Sequence, residues 1–251
     1  ITIMYRQELE NYTQQLLDTG RFKDYCPNGL QVEGRKEIRH IVTGVTANMA
    51  LLEAAAAAGA DAVLVHHGFF WKNEDSRVIG IKQRRLKFLL QHDLNLFAWH
   101  LPLDAHPTLG NNAQLAEKLG INIEGWFGEQ NLACIGKLQG PMPIQQFAAL
   151  IETRLQRPPL LVGATDKTVS QVALCSGGAQ GYFLDACNLG VNAFITGEIS
   201  EAVVHTARES GVAYIAAGHH ATERYGIQAL GAHLANRFGL SHQHIDIDSP
   251  A

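Results

Sequence analysis

The stretch 41–67, "IVTGVTANMALLEAAAAAGADAVLVHH", decides the fold. Ile38–Val45, which runs into it, is rich in β-branched residues and bounded by Gly44, as a strand would be. Met49–Ala58 is a run of strong helix formers, and Gly59 stands where a left-handed C-cap would stop it. Ala62–Val65 is then a short buried strand that leads straight into His66-His67-Gly68. Strand, helix and strand in this succession predict an α/β fold with a largely parallel sheet. The flanks continue the alternation. Tyr5–Leu17 reads as a helix before the loop "DYCPNGLQVEG", Arg85–His92 as a helix and Leu94–Trp99 as a strand. Asn111–Leu119 reads as a helix closed by Gly120.

The chain also repeats itself. A shift of 131 residues lays Ile41–His67 on Val172–Glu198 without a gap, so that Ala55 meets Ala186, Gly59 meets Gly190 and Ala62 meets Ala193. Further on the shift is 119, and His100 meets His219, Asp104 meets Glu223, Leu115 meets Leu234 and Gly120 meets Gly239. The first copy is longer between these blocks, around "GFFWKNEDSRVI". The expected architecture is two similar α/β lobes related by internal duplication, residues 1–125 and 126–251, with a metal site at the interface between them. Residues 125–165 have no counterpart in this comparison and carry a predicted helix at Pro143–Leu155.

Composition narrows the function classes. Of 251 residues, 46% are hydrophobic and 18% charged, which excludes an intrinsically disordered chain. A net charge of -4 gives no general attraction to nucleic acid or an anionic membrane. The cluster Lys82-Gln83-Arg84-Arg85-Leu86-Lys87 reads as the solvated face of a helix. No apolar run reaches the length of about 18 residues that a membrane span needs, and the N-terminus lacks the pattern of a secretory signal. Cys26, Cys134, Cys175 and Cys187 are scattered with no CxxC pair, which fits reduced thiols in the cytoplasm.

The 12 histidines are the outlier. In "GHHATER" (218–224) they follow the apolar Val212–Ala217, at the carboxyl end of a strand, where open α/β sheets place ligands. The helix expected next has Ile227, Leu230, Leu234 and Phe238 as its buried stripe. Stepping back by fours reaches Glu223 and His219, whereas His220 turns away by about 100°. An inward carboxylate needs a partner, because an unpaired buried charge costs several kcal/mol. Arg224 points off the stripe, and a metal is the better partner. His66 and His67 follow a second strand and can reach one site if that strand ends there and Gly68 turns the chain. His100 and Asp104, in "HLPLDAH", follow a third, and Pro102 predicts loop rather than helix around them. His106 lies close to Asp104, and His106, His220 and Glu198 are left without an assigned role. His40, His92, His205, His233, His242 and His244 read as surface or packing residues. Nitrogen and carboxylate donors without thiolate suit Zn, Mn, Fe, Co or Ni. Five or six are too many for one tetrahedral ion and suit two ions about 3.5–4 Å apart, sharing a carboxylate. Cys175-Ser176-Gly177-Gly178 reads as a glycine-permitted turn between strand and helix.

Together "NGLQVEG", "VHHGFFW", "HLPLDAHPTLGNNAQLA", "ITGEIS" and "AAGHHATERYGI" resemble the GTP cyclohydrolase 1 type 2 homologue family, the Ngg-interacting-factor-three-like proteins, over nearly the whole chain. The chain is most similar to the short bacterial members, which lack a central insertion. The resemblance implies a dinuclear metal centre, two similar lobes and a toroidal homohexamer in the cytoplasm. It places the ligands on His66, His67, Asp104, His219 and Glu223. Glu223 would bridge, His67 and Asp104 would complete one ion, and His66 and His219 the other. It sets His100 beside the centre, where a proton-carrying catalytic role is expected. The function this implies is hydrolysis of a nucleotide-like substrate by two divalent cations, with opening of the GTP ring and release of formate as the named example. Phosphoester hydrolysis is the alternative within that class, and a non-catalytic regulatory or adaptor assembly the alternative outside it. The acidic balance argues against a ring that handles DNA.

Overall fold

In the computed structural model, which describes residues 3–251, the stretch 41–67 folds as strand His40–Thr46, helix Met49–Ala57 and strand Ala62–His67. The Asn48 side chain caps the helix by accepting from the Leu51 N–H at 2.9 Å, and Gly59 ends it with φ of +73°. Leu51, Leu52 and Ala55 bury against Val42, Val63 and Leu96, each leucine contributing about 1.5–3 kcal/mol. Gly44 lies inside the strand rather than at its end. A Cβ there would sit 2.4 Å from Leu51 Cδ2, so the glycine is what lets this helix close on the sheet.

Two compact units emerge. One comprises the residues up to Leu103 with Ile227–Asp248, the other Asp104–Gly226 with Ser249–Ala251. The expected division at 125/126 instead falls inside strand Ile121–Phe127. The reason is that the chain returns: strand Ser241–His244 pairs in parallel with His40–Thr46, which places the C-terminal segment in the first unit.

The sheet of the first unit runs Ser241–His244, His40–Thr46, Ala62–His67, Asn95–Ala98 and Gly29–Val32. Its first three pairings are parallel and the last antiparallel. Gly29–Val32 comes from the segment read as loop. The second unit departs further from expectation. Its sheet runs Ile121–Phe127, Ala133–Pro143, Thr168–Leu174, Ala193–Thr196, Ala213–Ala216 and Leu160–Val162. Only the pairings among Thr168–Leu174, Ala193–Thr196 and Ala213–Ala216 are parallel, so the sheet is mixed. The antiparallel edge strands come from residues 121–162, most of which lie in the segment without a repeat counterpart. Helix Ile144–Leu155 within that segment buries Ile144, Phe147, Ile151 and Leu155, a spacing of three and four, over the same core as Val172 and Ile195.

Pairing registers can be compared between the halves. Ile41 pairs with Ala62, and the shift of 131 carries this pair onto Val172 and Ala193, which are also partners. The next pairing differs by one residue: Ala62 faces Asn95, whereas Phe194, the counterpart of Val63, faces Tyr214, the counterpart of Asn95. No described helix is long and apolar enough to cross a membrane.

Candidate metal centre

In the first unit, strand Ala62–His67 runs through both histidines and stops at Gly68. His66 is completely buried, and its Nδ1 donates to the Trp99 carbonyl at 2.8 Å. A carbonyl only accepts, so this bond fixes the tautomer and puts the lone pair on Nε2, the form in which an imidazole can ligate a metal. His67 Nδ1 lies 3.1 Å from Thr46 Oγ1. Ring centroids of His66 and His67 are 4.5 Å apart and both lie within 6 Å of His100, at 5.3 and 5.9 Å. One ligand atom from each of the three imidazoles falls within 4.8 Å of the others, a spacing that can hold an ion. Alternation along a strand does not separate the two neighbours, because the strand ends at the second of them.

His100 is held from behind by Asp24, whose importance the sequence reading missed. Asp24 Oδ1 accepts from His100 Nδ1 at 2.7 Å and from the Tyr25 N–H at 2.6 Å, and Oδ2 accepts from Asn28 at 3.0 Å and the Leu101 N–H at 2.9 Å. Burial works to raise the Asp24 pKa, but these bonds and the imidazole outweigh it and hold the carboxyl below its ordinary value. Asp24, Cys26 and His100 also have ligand spacing. That group is a poor metal site, because four donors occupy the carboxylate and burial, with the Asp24 charge, pushes the Cys26 thiol up to about 12. The only signal for Asp24 was its place at the head of the Pro/Asn/Gly-rich loop.

Pro102 does not prevent a helix. Leu101–Ala105 is a single short turn with Pro102 at its second position, where a missing N–H costs no intrahelical bond. Asp104 is nearly buried. Its Oδ1 accepts from Asn111 Nδ2 at 2.8 Å and from Ser176 Oγ at 3.3 Å. Asn111 also caps the Gly226 N–H at 3.1 Å, and Asn112 ties the Asp104 and Leu132 carbonyls to the Ser176 N–H. Both asparagines are completely buried, and the sequence reading had seen them only as a helix start. The His106 Nδ1 accepts from the Leu109 N–H at 3.0 Å and closes a turn.

In the second unit, Ala213–Ala216 delivers the chain to Gly218, but the helix that follows is broken. His219–Thr222 forms one turn and Arg224–Phe238 a second helix, with Glu223 between them at φ −111° and ψ 8°. Thr222 makes the break. Its hydroxyl donates back to the Gly218 carbonyl at 2.8 Å and accepts from the Gly177 N–H at 2.9 Å. His219 and Glu223 still meet, Nε2 to Oε2 at 3.2 Å, and Glu223 is almost fully buried. His219 Nδ1 donates to Glu198 Oε1 at 2.6 Å, so Glu198 orients this imidazole. His220 is buried, at 8% exposure, and its backbone N–H donates to the Ala251 carbonyl at 3.1 Å.

Charge is concentrated here. The hydrogen bond that His219 donates to Glu223 overcomes burial and, with Glu198, raises His219 to about 9, while the same imidazole holds Glu198 below its ordinary value. The site therefore retains a proton between two carboxylates at neutral pH, which is where a cation would be taken up in its place. Asp104 and Glu223 both act on the buried Cys175 thiol, which burial first and these charges next push well above its ordinary value. Thiolate is thus disfavoured at Cys175, and the nearby imidazole and carboxylate groups are donors that suit a divalent transition metal.

The family model for Duf34/NIF3 (NGG1p interacting factor 3) matches residues 4–250. A Pseudomonas aeruginosa protein named "GTP cyclohydrolase 1 type 2 homolog" is 55% identical over 238 residues, 94% of each chain. The solved structure of protein ybgI, described as of unknown function, is 51% identical with a TM-score of 0.96, covering 99% of this chain and 100% of that one. The crystal structure of TTHA1606 from Thermus thermophilus is 34% identical with a TM-score of 0.90, at 99% and 100% coverage. The chain belongs to the Duf34/NIF3 family.

Proposed function

We propose that His66, His67, Asp104, His219 and Glu223 hold two divalent cations, and that the protein is a metal-dependent hydrolase acting on a nucleotide-like substrate. The observation that carries this reading is the pair of incomplete donor sets. One unit offers imidazoles with a fixed tautomer at His66, and the other offers the buried carboxylates of Asp104 and Glu223, with His219 set between Glu223 and the exposed Glu198. Zn, Mn, Fe, Co or Ni would suit both sets, with Glu223 as the bridge. When bound, two such ions supply Lewis-acid polarisation of the bond attacked and acidify water towards neutrality. The chain's own groups do the rest. Trp99 and Glu198 orient His66 and His219 through Nδ1, and Asn111 with Ser176 orients Asp104. His100, bound at Nδ1 by Asp24, is set to move a proton at Nε2.

The curated relatives' name motivates GTP ring opening with formate release as the first reaction to assay. Phosphoester hydrolysis is the second, because two-metal centres serve it equally well. The family's name, an interacting factor, motivates the non-catalytic reading, a metal-holding adaptor or regulator. The proposal includes assembly as a toroidal homohexamer, a cytoplasmic location, an internal duplication supported by the shared register of the first two parallel strands of each sheet, and no role in binding DNA. Purified protein assayed for formate from GTP and for phosphate from a nucleotide panel tests it. Turnover that disappears with chelation and returns with metal supports the hydrolase, and metal-loaded protein with no turnover supports the adaptor.

A further inference from the structure

Residues 68–79, the stretch by which the first half is longer, take no part in the metal chemistry above. With the start of helix Gly80–Gln91 they form a cavity of about 380 Å³, lined among others by Gly68, Phe69, Trp71, Ile79, Lys82 and Arg85. Its charges are not equivalent. Arg77 is paired with Asp75 at 2.7 Å and Lys82 with Glu74 at 2.9 Å. Arg85 is different: its guanidinium lies 5.9 Å from the Phe69 ring centroid, and its buried Nε has no hydrogen-bond partner. Beside it stands the half-buried Trp71. The indole forms the wall towards the metal-site histidines, with ring centroids 5.0 Å from His100 and 6.1 Å from His67.

The loop is held in place. The Phe69 N–H donates to Gln31 Oε1 at 2.7 Å and its carbonyl accepts from Gln31 Nε2 at 3.1 Å. The Trp71 N–H donates to Glu74 at 3.2 Å and the Lys72 N–H to the Tyr25 carbonyl at 2.6 Å. Phe70 takes φ of +64°, which is strained for a bulky residue and persists only because these contacts impose it. A half-buried guanidinium whose Nε lacks a partner, an indole and a strained, pinned loop next to the histidine cluster are the parts of a preorganised ligand pocket.

We propose that this cavity receives the non-reacting end of an anionic substrate that carries a flat ring, a compound of mononucleotide size. Arg85 takes the phosphate or carboxylate and Trp71 stacks on the ring. The volume, near the bottom of the range of about 300–1,000 Å³ for small-molecule sites, matches a ligand of mononucleotide size. That the reacting end faces His66, His67 and His100 rests on the metal-centre reading, whereas binding in the cavity does not.

The test is calorimetric titration of metal-loaded and chelator-treated protein with GMP, guanosine and ribose 5-phosphate. The variants are Trp71→Ala, Arg85→Gln and Arg85→Lys. GMP is expected to bind the wild type, about tenfold or more weaker to Arg85→Gln and Trp71→Ala, with part of the loss recovered in Arg85→Lys. Guanosine and ribose 5-phosphate, each lacking one half of the recognition, are each expected to bind at least about tenfold weaker than GMP. Equal GMP affinity in wild type, Arg85→Gln and Trp71→Ala would overturn the subsite, as would no binding of GMP to the wild type. Ribose 5-phosphate binding as tightly as GMP would overturn the role of Trp71. If the wild type holds no metal yet shows GMP binding that depends on Arg85, the metal-centre reading alone fails and the subsite stands.

Discussion

Gly177 is the residue on which the carboxylate pair leans most closely. Its φ is +72°, and a Cβ there would fall 2.2 Å from Glu223 Oε1 and 3.2 Å from His219 Nε2. Gly177→Ala is therefore expected to cost about 1–2 kcal/mol from backbone strain alone and to lower the metal content, read by urea denaturation and elemental analysis. Unchanged stability and metal content would contradict the close approach. Asn111→Ala removes a buried donor to Asp104 and the acceptor for the Gly226 N–H. It is expected to destabilise by about 1–3 kcal/mol and to weaken metal binding by about 10–100-fold. Wild-type metal affinity in this variant would show that Asp104 needs no orientation. The contrast marks what a sequence can reveal at this scale. His219 and Glu223 were legible because four-residue steps from a buried stripe reach them, and their contact was found. Asp24 and Glu198 were not, because a side chain that orients another 76 or 21 residues away leaves no periodic trace, and Asn111, seven residues from Asp104, read only as part of a helix start.

Elements bring these residues together, and two of them behave differently from their composition. Pro102 sits in the first turn of a short helix, and Thr222 breaks what the apolar spacing read as one helix. Propensity ranks residues for a helix interior, and both positions lie at helix ends, where hydrogen-bond supply decides. The broken turn also carries the pH dependence. In metal-free protein, His219 is raised from 6.5 to about 9, first by the hydrogen bond to Glu223. A folded pKa above the unfolded one means that its contribution is fully present below about 6.5 and is lost as pH rises through about 9. Thermal melts of chelator-treated protein should therefore fall across that window more steeply for the wild type than for Glu223→Gln. Parallel curves would show that the pair does not hold the proton. The alternation of strand and helix in 41–67 was legible to within a residue or two, because one face of each element is buried. Gly29–Val32 was hidden, since a short antiparallel edge strand rich in polar and glycine residues resembles a loop.

At the scale of the molecule, the pattern of residues gave the α/β class but not the edges of the sheets. Parallel central strands are mainly apolar and buried and read clearly, whereas the antiparallel edges of the second sheet come mainly from a segment with no repeat partner. The division of the chain was missed for a related reason. Pairing of Ser241–His244 with His40–Thr46 spans some two hundred residues, and no local signal announces it. Fragments cut at 125/126 would split strand Ile121–Phe127 and separate this pair, so neither is expected to show a cooperative thermal transition. Two independent, cooperative melts would contradict the observed division. The central claim, a dinuclear centre with Glu223 as its bridge, is tested most directly by counting metal ions per chain in wild-type, His66→Ala and Glu223→Ala protein by elemental mass spectrometry. The account predicts two ions per chain in the wild type, fewer in His66→Ala and at most one in Glu223→Ala. A wild type with none, or a Glu223→Ala variant that keeps both, would contradict it.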